Sequence, residues 1–219
     1  MSNLIKNNAV VADDWTLVTL PPPDESTVRK QAGKVVIFKV TGEAAATPEQ
    51  ISGTVIPATG KIIVPLTIWQ ARKQELADRA AQGEVGVWLE SFELLEDLLA
   101  SVADINSLPL IAIHFPRFVD GRGFSLAALL RTRHGYKNEL RAIGDVLRDQ
   151  LFFMHRVGFD AYVIRADRSA EDALASLRDF SSPYQGAVDN PLPVWRRHTR
   201  VAQHSATART QATHEDKVD

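Results

Sequence analysis

The chain has 219 residues, of which 45% are hydrophobic and 24% are charged, and these values exclude a wholly disordered or fibrous protein. The 25 Lys and Arg residues against 27 Asp and Glu give a net charge of -2, which argues against a general nucleic-acid binder. The sequence has no cysteine, so disulfides, thiolate nucleophiles and Cys-ligated iron–sulfur or zinc sites are excluded.

The start of the sequence does not predict a secretory signal. The first eight residues lack a charged segment followed by an apolar stretch, and no run approaches the ~20 apolar residues of a membrane helix. We therefore expect a cytoplasmic protein that does not enter a membrane. Residues 199–219 hold only Val201 and Val218 as large apolar side chains, which predicts a disordered tail.

Residues 1–60 predict an N-terminal segment that precedes the main domain. Two short apolar runs around Asn7-Asn8 predict a small β-hairpin ending near Trp15, because Asn tolerates the positive φ of tight turns. Prolines 21–23 predict a stiff extended spacer. Residues 35–40 are strand-like, whereas residues 42–60 show no clear period and are expected to be irregular.

Residues 61–198 show a repeated alternation of strand and helix patterns. The apolar runs are nearly continuous, as is typical of strands buried on both faces. About five strand–helix units predict a mostly parallel sheet with right-handed crossovers, and the run is too short for a closed eight-stranded barrel of ~250 residues. We therefore predict an open three-layer α/β sheet with a small N-terminal hairpin. The predicted strands are Ile62–Val64, Val85–Leu89, Leu110–Ile113, Leu140–Ile143 and Ala161–Ile164.

Each predicted helix has a start signal, and three of them have a stop signal. Side chains that can accept a backbone N–H stand at the starts, and Gly83, Gly135 and Gly158 follow three of the helices. The proposed start residues are Thr67, which forms a capping-box pattern with Gln70, and Ser91, Ser125, Asp145 and Ser169.

The loop after the third predicted strand is the first candidate ligand site, because open α/β sheets bind ligands beyond the carboxyl ends of their strands. Gly121 and Gly123 allow backbone N–H groups to converge at a helix start, and Arg122 and Ser125 add donors for a phosphate, sulfate or carboxylate. The alternative is a tight loop that needs glycine, with Ser125 only capping the helix. Leu126 stands where a dinucleotide-binding fingerprint requires Gly or Ala.

The start of the next helix is the second candidate. Asp145, Arg148 and Asp149 share its first turn and, with Asp120, could orient a substrate or transfer protons; the alternative is an N-cap with an ion pair. The predicted catalytic residues are Asp120, Asp145 and Asp149. The predicted anion-binding residues are Gly121, Arg122, Gly123, Ser125 and Arg148.

The six histidines do not predict a metal site, because no two have the i, i+4 spacing of a metal-binding helix. His114 directly follows a buried strand and is the one histidine with a candidate site role, packing being the alternative. Glu90 is interpreted as the end of a strand rather than as a general base.

Residues 113–168 hold ten cationic side chains, nine of them arginine, against six carboxylates. Arginine suits bidentate binding of oxyanions and carboxylates, and it equally suits a face that docks on a partner protein. Solvated helix faces are the third interpretation.

Several segments of the central region together resemble the bacterial domain of unknown function 934 family. The resemblance covers about residues 62–164, with the N-terminal hairpin and Trp15. The segments are Ile111–Ile113, Phe115-Pro116, Asp120–Ser125, Leu129–Arg131, Gly135-Tyr136, Glu139–Ala142, Gly144–Gln150 and Gly158–Ala161. His114 departs from the family pattern, which has an acidic residue there.

Members of that family are described as oxidoreductases of sulfite reduction, and their genes lie beside those of the sulfite reductase hemoprotein. The resemblance implies involvement in assimilatory sulfite reduction. Because the sequence has no cysteine and no intact dinucleotide fingerprint, we expect an accessory protein that acts with the hemoprotein or its electron donor. The resemblance supplies no catalytic residues, and the sequence leaves open whether a flavin or nicotinamide is bound. The alternative hypothesis is an enzyme that binds an anionic substrate or nucleotide at the loop 120–125 and the Asp145 helix start. It requires Arg122 and Asp145 to lie on one rim of the sheet.

Overall fold

The computed structural model describes residues 3–22 and 46–197 of the chain. One sheet of eight strands has the order β2-β1-β8-β7-β6-β5-β4-β3. Neighbours from β3 to β8 are parallel, and the hairpin β1–β2 adds antiparallel to β8. The strands are β1 (Leu4–Lys6), β2 (Ala9–Val11), β3 (Trp15–Leu17), β4 (Lys61–Pro65), β5 (Val85–Glu90), β6 (Leu110–Phe115), β7 (Glu139–Gly144) and β8 (Ala161–Val163).

The predicted α/β class, the mostly parallel sheet and the N-terminal hairpin are confirmed. The helices are α1 (Pro48–Gly53), α2 (Leu66–Ala71), α3 (Lys73–Ala81), α4 (Leu95–Ser101), α5 (Arg122–Thr132), α6 (Arg148–Val157), α7 (Ala170–Ala175) and α8 (Val194–Arg197). Short 3-10 turns lie at Ile105–Ser107 and Ser176–Arg178. None of the helices in the described ranges is long and apolar enough to span a membrane.

The sheet is strongly curled into a half-barrel, and the chain connectivity explains why. Strand β2 ends at Val11 on one edge of the sheet, and Trp15 begins β3 on the opposite edge. Four Cα steps reach at most ~15 Å, whereas a flat eight-stranded sheet would hold its edge strands about 34 Å apart. The short connection between β2 and β3 therefore requires the two edges of the sheet to lie close together. Trp15, which was predicted near the end of the hairpin, instead begins strand β3.

The helices that the structure describes cover one face of the sheet. Their buried apolar side chains, such as Leu76, Leu98 and Leu151, belong to one core cluster with alternate strand residues. The other cluster consists of strand residues alone: Ile63, Trp88, Leu110, Ala112 and Ile143, with Trp15 and Val163 packed against it. Strands that follow one another in chain order, joined by crossovers of one hand, place their helices on the same side. In the described ranges, the second helical layer of the expected three-layer arrangement is thus absent.

The uncovered face is concave, because the connection between β2 and β3 lies against it. Asp13, in that connection, binds the guanidinium of Arg141, which points to this face from β7. Strands from both sides of residue 60, where a domain boundary was predicted, share the one sheet.

Three predicted helix starts differ from the observed ones, and two of the expected capping side chains bind distant residues instead. Helix α4 begins at Leu95 rather than after Ser91, α5 begins before Ser125, and α6 begins three residues after Asp145. The hydroxyl of Ser91 donates to Asp120, and Asp145 accepts from the backbone of Phe118.

Some of the other capping predictions are confirmed, and one is wrong. Ser169 caps α7 as predicted, and Gly83, Gly135 and Gly158 have the positive φ expected after helices. The predicted box of Thr67 and Gln70 is wrong, because α2 already begins at Leu66.

The region predicted to be irregular contains helix α1, which begins with a capping box formed by Thr47 and Gln50. Three further predictions fall outside the described residues: the third proline of the spacer, the strand-like segment 35–40 and the disordered tail 199–219.

Candidate functional site

The carboxyl ends of β5, β6 and β7 bring three residues together on the concave side of the sheet. Glu90 pairs in register with His114, and Gly144 ends the next strand. Leu89 and Ile113 point to the helix-covered face, so the alternation of strand side chains turns Glu90 and His114 to the concave face. We call this edge of the sheet the C-terminal rim.

The imidazole of His114 is fixed from three directions. Its Nδ1 lies 2.8 Å from Oε2 of Glu90, and its ring meets the Trp88 ring edge-on at 5.6 Å between centroids. A Cβ at Gly144 would lie 2.6 Å from Cδ2 and 2.9 Å from Nε2 of the ring, so position 144 must lack a side chain. Gly144 also has a φ of +98°, which only glycine adopts readily.

The contact with Glu90 determines which nitrogen of His114 is available. A carboxylate oxygen accepts hydrogen bonds, so the tautomer with its proton on Nδ1 fits this contact, and in that tautomer Nε2 is an acceptor. Nε2 has no hydrogen-bond partner among the described residues, and the His114 side chain is 30% exposed. A carboxylate that orients a histidine in this way is the arrangement found in oriented general bases.

Glu93 adds a carboxyl group that titrates near neutrality. Its Oε2 accepts the backbone N–H of Glu90 at 2.7 Å. Burial raises the pKa of Glu93 from 4.5 to about 7, repulsion from Glu90 and Asp97 adds to the increase, and the backbone N–H opposes it. Shifted carboxyl groups of this kind are enriched at functional sites.

Asp120, a predicted catalytic residue, lies in a network of hydrogen bonds. It accepts from Oγ of Ser91 at 2.6 Å and from Arg122 through Nε, an Nη and the backbone N–H at 2.9–3.1 Å. The Arg122 guanidinium, with help from Ser91, lowers the pKa of Asp120 to about 2. At neutral pH, Asp120 is thus an ionised anchor for Arg122.

Asp145, the second predicted catalytic residue, joins two loops of the rim. Its Oδ2 accepts the N–H of Phe118 at 2.8 Å and its Oδ1 accepts from Arg165 at 2.7 Å. Gln150 donates to the carbonyl of Phe118 at 3.0 Å. Asp145 and Arg122 follow the ends of adjacent parallel strands, so they lie on the same rim as the anion-site hypothesis requires.

A depression of about 410 Å³ opens on the C-terminal rim. It brings the predicted anion-binding residues Arg122 and Ser125 together with Glu93, a residue that the sequence analysis did not single out. It does not include Asp145, Arg148 or Asp149. The lining residues are Ser91, Phe92, Glu93, Leu94, Arg122, Ser125 and Leu126.

The remaining predicted site residues do not line the depression. Arg148 pairs with Asp172 at 2.9 Å, and Asp149 is exposed. A Cβ at Gly123 would meet Phe115 at 2.7 Å, so this glycine allows close packing of α5 on β6, whereas Gly121 has room for a side chain.

The sequence pointed to Glu90 and His114 as the ends of two strands, but it could not show that these strands are neighbours. The signal for Glu93 was weaker still, because its burial depends on the fold of the segment before α4. Among the described residues, no three His, Asp or Glu side chains form a group that could hold a metal ion.

Comparison with known proteins places these features in a family. The bacterial proteins of unknown function DUF934 match residues 86–195, from β5 to α8, which is half of the chain and includes most of the C-terminal rim. No curated protein and no solved structure matches the chain. The chain therefore belongs to DUF934, a family of bacterial proteins of unknown function.

Proposed function

We propose that the protein is an accessory component of assimilatory sulfite reduction that binds the sulfite reductase hemoprotein, or its electron donor, through the C-terminal rim. The sulfite-reduction assignment follows from the family resemblance of the sequence. The docking role is supported by one observation: the loop between β6 and α5 is tightly anchored and yet presents apolar side chains to solvent.

The tip of this loop, residues 117–119, is exposed. Phe118 is 41% exposed and Val119 is 83% exposed, and Leu94 at the same rim is 61% exposed. Single exposed apolar residues are ordinary on protein surfaces, but a run of them beside an aromatic ring is typical of docking sites. Arg117, also exposed, adds a positive charge that suits an acidic partner surface.

The backbone beneath the tip is held in place. Asp145 and Gln150 bind the N–H and the carbonyl of Phe118, and Arg165 holds Asp145 from the other side. At the end of the loop, Asp120 is fixed by its partners. A loop that is ordered before binding loses little conformational entropy on association, so its apolar tip can contribute more to affinity.

Binding to the two partners tests the proposal directly. The full-length protein is immobilised, and the purified hemoprotein and its electron donor are passed over it separately. We expect one of them to bind the wild type, and Val119→Asp to weaken that binding about tenfold or more, because it places a charge in an apolar contact.

The matched control is Val55→Asp, since Val55 is 85% exposed and lies in the segment before β4. It should bind like the wild type. No complex with either partner, or equal weakening by the two variants, would contradict the proposal.

The depression on the rim favours a second candidate, an enzyme or carrier that binds an anionic substrate at Arg122 and Ser125. We expect Arg122→Ala to weaken the binding of phosphate or sulfate by about 2 kcal/mol, the usual size of a charge-assisted hydrogen bond. Calorimetry measures this, with the exposed Arg133→Ala as control. Equal affinities of wild type and Arg122→Ala for both anions would rule this candidate out.

A further inference from the structure

The depression on the C-terminal rim has two kinds of lining, and the anion-binding candidate uses only one of them. Arg122 and Ser125 supply a charge and a hydroxyl, whereas Phe92, Leu94 and Leu126 supply apolar surface. The volume of about 410 Å³ is in the range of small-molecule sites, in which an apolar lining with a few polar groups is usual. An inorganic anion has no group that would occupy the apolar side, so the lining favours an organic ligand.

The apolar side of the depression is accessible and adjoins the charge. Leu94 is 61% exposed, and Phe92 and Leu126 are partly exposed. The guanidinium of Arg122 lies over the ring of Phe92, 5.9 Å from its centroid. A ligand that contacts both sides must therefore carry its charge next to its apolar part.

The charges on the polar side favour a ligand with a single negative charge. Asp120 binds Arg122 at 2.9 Å and is ionised at neutral pH, so it balances the charge of the guanidinium. Asp120 would repel a doubly charged anion more strongly than a singly charged one. A carboxylate has one charge and can accept hydrogen bonds from Arg122 and from the exposed hydroxyl of Ser125.

Glu93 adds a group to the lining whose charge changes with pH. Burial raises the pKa of Glu93 to about 7, repulsion from Glu90 and Asp97 adds to the increase, and the N–H of Glu90 opposes it. Arg122 is the cation on the same lining. Protonated Glu93 is neutral and can donate a hydrogen bond to an anion, whereas ionised Glu93 repels it. The affinity for an anion should therefore fall as the pH rises through 7.

We propose that the depression binds a small organic acid whose carboxylate meets Arg122 and Ser125, beside the carboxyl of Glu93, while an adjoining apolar group lies on the side of Phe92. The inference rests on the second candidate function, because it names the class of ligand for the same site. Binding makes hydrogen bonds and apolar contacts, and no covalent bond forms or breaks.

Four probe ligands separate the two parts of the expected acid. Phenylacetate carries both parts, acetate has only the carboxylate, 2-phenylethanol has only the apolar part, and 2-phenylethylamine joins the apolar part to a positive charge. Each is titrated into the full-length wild type at pH 6 and followed by two-dimensional ¹H–¹⁵N NMR, which measures weak binding. We expect phenylacetate to bind about tenfold or more tightly than each of the other three.

Two substitutions test the two sides of the depression. Leu94→Ala should weaken the binding of phenylacetate about threefold and leave that of acetate unchanged, because only apolar surface is lost. Arg122→Ala should lower the affinity for phenylacetate to that for 2-phenylethanol, because the carboxylate loses its cation. Val55→Ala is the matched control, since Val55 is also an exposed apolar residue but does not line the depression, and it should bind like the wild type.

A change of pH tests the part played by Glu93. Raising the pH from 6 to 8 should weaken the binding of phenylacetate to the wild type about threefold or more, because the carboxylate of Glu93 then faces that of the ligand. Glu93→Gln cannot ionise at this position, so its affinity should change less over the same range.

Three results would overturn the inference. They are phenylacetate binding no tighter than acetate or 2-phenylethanol, equal effects of Leu94→Ala and Val55→Ala, and the same pH dependence in the wild type and Glu93→Gln. Phosphate or sulfate binding that depends on Arg122, with phenylacetate no tighter than acetate, would keep the anion site and remove only this inference. Docking of the hemoprotein or its donor is measured separately and can succeed or fail independently.

Discussion

The two ends of the half-barrel use charged side chains differently. At the amino ends of the strands, the guanidinium of Arg141 is buried at 2% exposure between Asp13 and Glu139, which it meets at 2.9 and 2.6 Å. Lys6 also binds Glu139, at 2.6 Å. At the carboxyl ends, the Nε2 atom of His114 has no partner among the described residues. Both ends therefore pair their charged groups, but the carboxyl ends also present a partly exposed histidine.

The difference shows that a cavity alone does not locate a functional site. A cavity of about 350 Å³ lies at the amino ends of the strands and is lined by Lys6, Asp14, Lys61 and Glu139 among others. Lys6 and Lys61 each already bind a carboxylate at 2.6 Å. These ion pairs hold the connection between β2 and β3 and the strand starts together, so this end serves stability.

The same division is known from closed β/α barrels, in which the carboxyl ends of the strands carry the chemistry and the amino ends carry stability. The half-barrel shares the parallel strands and the one-sided helical layer that produce it. We therefore expect substitutions at the amino end to change the free energy of unfolding, and substitutions at the C-terminal rim to change binding.

The largest expected effect is that of Arg141→Met. Methionine preserves the apolar stem and the approximate length of arginine. The substitution leaves the nearly buried Glu139 without one of its cationic partners and removes the partner of Asp13. Removing one partner of a buried ion pair usually costs about 3 kcal/mol or more. Urea denaturation followed by tryptophan fluorescence measures the loss. A loss below about 1 kcal/mol would mean that the connection between β2 and β3 does not depend on this charge.

The fold could be predicted where local patterns determine it. The apolar runs gave the five central strands, because strands buried in a parallel sheet are apolar throughout. Trp15 could not be placed, since its strand pairs with β4, more than 40 residues later in the chain. With β3 on that edge, the short connection from β2 must bring the two edges of the sheet together, so the curl could not be predicted either.

From the sequence, the candidate site could be located only to one edge of the sheet. The rule that ligands bind at carboxyl ends of strands predicted a site in the segments after β5, β6 and β7. It could not show that Ser91 and Asp145 would bind distant residues instead of capping helices, because such contacts depend on tertiary packing. His114 and Glu90 were each visible in the sequence, but their pairing required the strand order.

The second largest effect is a gain in stability from Glu93→Gln at the C-terminal rim. Below pH 4.5 the carboxyl of Glu93 is protonated in both the folded and the unfolded state. Between pH 4.5 and about 7 the unfolded chain ionises first, so the wild type loses stability as the pH rises through this range. Glutamine keeps an oxygen for the N–H of Glu90 and has no charge to bury.

We therefore expect Glu93→Gln to match the wild type at pH 4 and to exceed it at pH 8 by about 1–2 kcal/mol, a value reduced for partial exposure. Urea denaturation across this pH range measures the difference. A pH-independent difference would show that burial of Glu93 is not the cause. A gain in stability from Glu93→Gln together with a loss from Arg141→Met would show that a buried charge destabilises the carboxyl end and stabilises the amino end.

The smallest effect is expected for Arg148→Met, which makes the same chemical change as Arg141→Met at the opposite end of the sheet. The side chain of Arg148 is 44% exposed, and its partner Asp172 is 66% exposed. Both charges stay hydrated without each other, so the ion pair should contribute only about 0.5 kcal/mol, and less in high salt. Urea denaturation of both variants in one buffer gives the comparison directly. If Arg148→Met cost as much as Arg141→Met, burial could not be the reason for the difference between the two ends, and Arg148 would have to stabilise the start of α6 through contacts other than its ion pair.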